Sequence, residues 1–176
     1  MIQRNIFICL ALFVLGVFSK TENFSKEFCG QESQHARECA KNVGYLELRN
    51  HPNDDETLEV KEAKFQNITK CIGRPKCEVN QKILERHTIK FELYKMGRKI
   101  RVCDMAIASH PPMEMQMCRP TKTCEDYTTH ICSINNMLKV ENCNKKDIEI
   151  YLNAVPTFVR YCNVKKEIRE LREKNQ

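Results

Sequence analysis

The chain has 176 residues, with 29 Lys+Arg against 23 Asp+Glu, 11 cysteines, no tryptophan and five glycines. This composition excludes a coiled coil, a collagen-like or low-complexity chain and a polytopic membrane protein. What is left is a cysteine-rich chain of one-domain length.

Residues 1–19 carry a single charge, Arg4, ahead of a charge-free apolar run over residues 6–18. Thirteen helical residues reach about 20 Å, short of a bilayer core of about 30 Å. Val17-Phe18-Ser19 offers a cleavage site, and Lys20, Thr21, Glu22 and Asn23 come at once after it, so residues 1–19 are expected to be a cleaved signal peptide. The mature chain would then have 157 residues, 28 Lys+Arg against 23 Asp+Glu for a net charge of +5, and ten cysteines. No later stretch approaches the ~18 apolar residues of a transmembrane span, so a secreted, extracellular protein is expected. Asn23-Phe24-Ser25 and Asn67-Ile68-Thr69 are glycosylation sequons that fit that compartment, the second only if Asn67 faces solvent.

Helical periodicity dominates the rest of the chain. Residues 20–28 read as a short mature N-terminal segment. Ala36, Cys39, Val43 and Leu46 predict a first helix over about residues 31–49, broken by Asn50-His51-Pro52-Asn53. Asp54, Asp55 and Glu56 place negative charge at the start of a second helix, where the helix dipole favours it. It carries Leu58, Phe65, Ile68 and Ile72 and stops at Gly73-Arg74-Pro75. Cys77 opens a long third segment with an apolar stripe of Val79, Ile83, Leu84, His87, Phe91 and Tyr94 up to Gly97. Ile100, Cys103 and Ile107 continue it to Pro111-Pro112. Thr123 with Asp126 resembles a capping box and predicts a helix to Met137. Asn144 with Asp147 repeats the arrangement ahead of Ile148, Tyr151, Leu152, Val155, Phe158, Val159 and Cys162. Pro156 is expected to kink or break that helix. Residues 163–176 read as a charged helical tail with a Val164–Ile168–Leu171 seam. Strands are hard to find, so the fold class is all-α, with five or six helices in one disulfide-stabilised domain over residues 29–162.

The mature cysteines are Cys29, Cys39, Cys71, Cys77, Cys103, Cys118, Cys124, Cys132, Cys143 and Cys162. An even number in an oxidising compartment predicts disulfides. Zinc fits poorly, because the chain has neither Cys-x-x-Cys nor a closely spaced histidine pair. Spacing alone leaves the connectivity open. Cys71 with Cys77 and Cys118 with Cys124 could close local loops, and bridges between helices are an equal alternative. Cys124 and Cys132, if on one helix, must bond elsewhere.

Motifs for chemistry are absent: no Gly-x-Ser-x-Gly, no phosphate-binding glycine loop, no His-Glu-x-x-His. No cofactor, metal or catalytic residue is expected. His87 reads as a partly buried core histidine. Met113, Met115 and Met117 read as filling against a neighbouring helix, or as a soft binding surface. Lys82, Arg86, Lys90, Lys95, Arg98, Lys99 and Arg101 face only Glu85 and Glu92 across their segment, an excess of +5. They form either an ordinary solvated face or a basic binding face for an extracellular anionic glycan or acidic protein rather than nucleic acid.

One resemblance rests on the cysteine spacing. Phe65-x5-Cys71-x5-Cys77, then Cys103-Asp104, then Cys118-x5-Cys124-x7-Cys132-x10-Cys143-x18-Cys162 with Asn144-Lys145-Lys146-Asp147-Ile148 inside, resembles the nematode secreted cysteine-rich domain-of-unknown-function family nineteen. The resemblance runs from Cys29 to Cys162. It departs at Asn144, where the family often has glycine. It implies an extracellular, helical, disulfide-tied protein and no activity. The expectation is therefore a secreted binding or interaction module rather than an enzyme. The alternative is a carrier of small apolar ligands in an interhelical cavity. A secreted enzyme comes third, and its sign would be a histidine and a carboxylate converging in one cleft.

Overall fold

The computed structural model describes residues 24–43, 56–109, 117–118 and 123–174, and within them the only regular elements are six α-helices. The all-α reading of the sequence is correct. The signal-peptide region, Asn23, Met113 and Met115 lie outside the described residues.

Helix α1 spans Lys26–Val43. Ser25 starts it: its Oγ accepts from the Phe28 N–H at 3.1 Å and its carbonyl from the Cys29 N–H at 3.0 Å. The helix thus begins ahead of the expected residue 31. Helix α2 spans Leu58–Ile72, capped by Thr57, whose Oγ1 accepts from the Val60 N–H at 3.3 Å. Gly73 ends it at φ 67°, donating its N–H to the Thr69 carbonyl at 3.0 Å. A side chain would be strained in that left-handed conformation.

Helix α3, Glu78–Lys99, and α4, Arg101–Ser109, are divided only at buried Ile100, whose N–H still reaches the Met96 carbonyl at 3.3 Å. Helix α5 spans Thr128–Met137. The expected start at Thr123 is corrected, because Asp126 accepts instead from the Thr128 N–H at 3.0 Å and sets the later beginning. Helix α6 runs over Lys145–Lys174. Its capping box is reciprocal: Asn144 N–H donates to Asp147 Oδ2 at 2.9 Å, and Asp147 N–H donates to Asn144 Oδ1 at 3.1 Å. The helix continues through Pro156 rather than breaking there. The hydrogen bond that Pro156 forfeits is offset by burial on either side, at Ala154 and Val155 before it and at Val164 and Ile168 after it.

The architecture is a long α3–α6 pair flanked by two cross-linked groups. Ile89, Val164 and Ile168 form the seam between α3 and α6, with Ile83, Leu93 and Tyr161 packed against it. Ile100, Cys103 and Met137 make a second cluster under α4, α5 and the start of α6. All ten described cysteines pair: Cys29–Cys77, Cys39–Cys71, Cys103–Cys143, Cys118–Cys132 and Cys124–Cys162. The local loops Cys71–Cys77 and Cys118–Cys124 do not form. The first two bridges tie α1 to α2 and to the head of α3. The other three tie α4, α5, α6 and the segments between them. No bridge crosses the α3–α6 seam.

Candidate functional site

Helices α1, α2 and α3 enclose a groove of about 550 Å³. Its floor is set by helical spacing. Phe65, Ile68 and Ile72 stand on one face of α2, and Asn80, Ile83, Leu84 and His87 on one face of α3. The sequence marks these as core stripes. They line an open groove because α1 opposes them with Ala36 and Ala40, one turn apart and too short to fill the space. The wall spacing is fixed covalently, by Cys39–Cys71 between α1 and α2 and Cys29–Cys77 between α1 and the head of α3. His35 Nε2 adds a contact to the Cys71 carbonyl at 3.1 Å.

The groove is electrically lopsided. Arg37, Arg74, Arg86, Lys90 and Arg172 line it, and Glu32 is the one lining carboxylate. Glu32 is already committed: Lys76 N–H donates to it at 2.7 Å, Cys77 N–H at 3.1 Å and Asn80 Nδ2 at 3.1 Å. Burial opposes its ionisation, but these donors prevail and hold the carboxyl below its ordinary value. Asn80 is itself fully used, donating also to the Cys29 carbonyl at 2.9 Å and accepting from Ser33 Oγ at 2.7 Å. His87 is exposed into the groove rather than packed in the core. Desolvation by the groove walls, then the neighbouring Arg86 and Lys90 charges, lower the pKa of its imidazole, so it is neutral at neutral pH.

The seven basic residues singled out in the sequence are not held together. Arg86 and Lys90 face the groove. Lys82 is paired with Glu85 at 3.1 Å and Glu167 at 2.7 Å, and Lys95 with Glu62 at 3.4 Å. Arg98 Nη1 is buried without a hydrogen-bond partner among the described residues. Lys99 is exposed near the end of α3, and Arg101 opens α4. Arg37, Arg74 and Arg172 are not legible in the sequence as partners of Arg86, because they arrive from three distant segments. Asn67 is exposed on α2, as its sequon requires. Met117 is 85% exposed and fills nothing.

Two further clusters hold polar chemistry. His35, Cys39 and Cys71 bring their ligand atoms within 4.8 Å of one another, but the two sulfurs are bonded to each other, and metal binding requires thiolates. In the other half, His130 Nδ1 meets the Tyr151 hydroxyl at 3.1 Å, and both rings pack on Phe158. Tyr151 also hydrogen-bonds Ser133 and feels the charge of Asp104. Burial, and then the adjacent Asp147, raise the Asp104 carboxyl from 3.8 to about 6. Asp147 is spoken for by the α6 cap, and the His130 Nδ1 contact is taken by the Tyr151 hydroxyl. The group therefore reads as a packed polar network.

Asp104 has a measurable consequence. Its folded pKa lies above the unfolded value, so its ionisation subtracts stability progressively between these two values and fully above about pH 6. Asp104→Asn is expected to stabilise the protein at about pH 7.5 by about 1–2 kcal/mol, after discounting the shift for partial exposure. The gain should vanish near about pH 4, where the wild-type carboxyl is protonated in the folded state. Urea unfolding at both pH values checks this, and a variant no more stable than wild type at the higher pH would contradict it.

Among the described residues, no helix is long and apolar enough to cross a membrane. Comparison of the chain with protein-family models, curated proteins and solved structures finds no match.

Proposed function

We propose that this chain is an extracellular, disulfide-stabilised binding module whose ligand site is the α1–α2–α3 groove, and that the ligand is a small molecule with an apolar body. The observation carrying this reading is the groove itself: an apolar floor kept open by Ala36 and Ala40 and held at fixed width by two disulfides. Its volume falls within the roughly 300–1,000 Å³ of small-molecule sites. Rigid walls favour binding, since less ordering entropy is lost when the ligand enters. Secretion is supported by the N-terminal apolar run and by five disulfides, which persist in oxidising compartments. Pairing of all ten described cysteines also supports the disulfide framework that the nematode-family resemblance implies. Binding rather than catalysis is the favoured activity: His35, His87 and Glu32 line the same groove, but Glu32 is held by the Lys76 and Cys77 N–H groups and Asn80, and His35 by the Cys71 carbonyl.

The test is a neutral probe that fluoresces in apolar surroundings, N-phenyl-1-naphthylamine. Saturable binding at one site per chain is expected for the wild type. Ala40→Trp, which fills the groove from α1, should remove it while leaving the circular dichroism spectrum unchanged. Unaltered binding in the folded Ala40→Trp protein would move the site elsewhere, and no saturable binding in the wild type would sink the reading.

A further inference from the structure

We infer that the groove takes a single-chain fatty carboxylate, its alkyl chain along the apolar floor and its carboxylate among the arginines of the rim. This rests on the reading of the groove as an apolar-ligand site and adds the chemical class of the ligand.

Positive charge is left uncompensated at this groove. Elsewhere on these helices cations face carboxylates: Lys82 with Glu85 and Glu167, Lys95 with Glu62, Arg160 with Glu92. Around the groove, Arg37, Arg74, Arg86, Lys90 and Arg172 are in no ion pair among the described residues. Five cations gathered from α1, the α2–α3 turn, α3 and the end of α6 give the groove a net positive field that attracts an anion. Against a desolvating apolar floor the attraction is stronger than on an open surface.

The donors on offer suit carboxylate better than phosphate. A helix N-terminus is the backbone's natural phosphate cradle. The one at this site, the head of α3, is filled by the chain's own Glu32, which accepts the Lys76 and Cys77 N–H groups. Recognition is left to side-chain guanidinium groups, whose planar fork takes carboxylate or phosphate alike through two parallel hydrogen bonds, so it is the closed helix terminus, with no free backbone donors for the extra phosphate oxygens, that favours carboxylate.

Length and bulk select a single chain. The lining residues run from Glu32 to Ala40 on α1 and from Asn80 to Lys90 on α3, about 12 and 15 Å of helix. A groove of that length and about 550 Å³ suits one extended alkyl chain and not a pair of them.

The experiment is calorimetric titration of the intact, oxidised protein with dodecanoate, dodecanol, dodecyl phosphate and dodecyltrimethylammonium, the charged ligands below their micelle concentrations and dodecanol below its solubility limit. Dodecanoate is expected to bind once per chain and at least about tenfold more tightly than dodecanol, the contribution of one charge-assisted hydrogen-bonded pair. Dodecyltrimethylammonium should be the weakest. Arg37→Gln with Arg86→Gln should bring dodecanoate to within about threefold of dodecanol. Equal wild-type binding of dodecanoate and dodecanol would overturn the head-group assignment while leaving an apolar site in place. Dodecyl phosphate preferred over dodecanoate would overturn the choice of carboxylate. Failure of all four ligands, together with failure of the naphthylamine probe, would remove the underlying reading as well.

Discussion

Replacing Cys29 and Cys77 together by serine is expected to lower the unfolding free energy by about 4 kcal/mol, from the entropy of closing a loop of that size in the unfolded chain. The bridge spans a sequence separation of 48, the longest of the five. The site gives no reason for the loss to be smaller. Cys77 is nearly fully buried, and around it Glu32 and Asn80 hold the Cys77 N–H and the Cys29 carbonyl in place. Those bonds depend on the α1–α3 approach that the disulfide enforces. The internal comparison is Cys118–Cys132, with a separation of 14, for which the same relation gives about 3 kcal/mol. Urea unfolding of the two double variants should therefore rank Cys29/Cys77 as the costlier loss, and the reverse order would show that native packing, not loop closure, sets the contribution. The Cys29/Cys77 variant should also bind the naphthylamine probe more weakly, since a groove wall has been freed.

Truncation of Ile89 to alanine is expected to cost about 3–4 kcal/mol, in the range for a large aliphatic side chain removed from a well-packed interior. Ile89 is 0% exposed, and Val164 and Ile168, each 3% exposed, meet it from α6. No disulfide joins α3 directly to α6, so apolar packing holds the seam between the two cross-linked groups. Ion pairs add little here: Lys82–Glu167 at 2.7 Å and Arg160–Glu92 at 3.4 Å span the two helices, but all four side chains are partly or well exposed. Arg160→Ala should change stability by less than about 1 kcal/mol. Equal losses for Ile89→Ala and Arg160→Ala in denaturant unfolding would mean that the seam is not the joint between the two groups.

The helical fold is legible in the sequence because its signals are local. The Asn144–Asp147 box and the stripe from Ile148 to Cys162 mark α6, and Gly73 marks the end of α2. Helix starts differ from expectation where a cap competes. Ser25 lies upstream of the first visible apolar repeat, and Asp126 binds the Thr128 N–H rather than closing a box with Thr123. Pro156 reads as a breaker because the sequence does not show the burial on either side of it. The disulfide pattern is not legible, because helix packing and not spacing brings Cys39 to Cys71 and Cys124 to Cys162. The groove is half visible. Its floor is the apolar stripe of α2 and α3, but the space above it depends on Ala36 and Ala40, which in a one-dimensional stripe look like core positions. Its rim is assembled from residues as far apart as Arg37 and Arg172, and no local motif announces such a set.

The groove competes with exposed apolar side chains on the other cross-linked group, at Val102, Ile131, Leu138 and Leu152. Methyl NMR spectra recorded during titration with dodecanoate decide between them in one measurement. Saturable shifts are predicted at Ile68, Ile72, Ile83 and Leu84, with Val102, Ile131, Leu138 and Leu152 unmoved. Shifts concentrated at those four exposed residues, with the groove methyls silent, would contradict the assignment of the groove as the binding site.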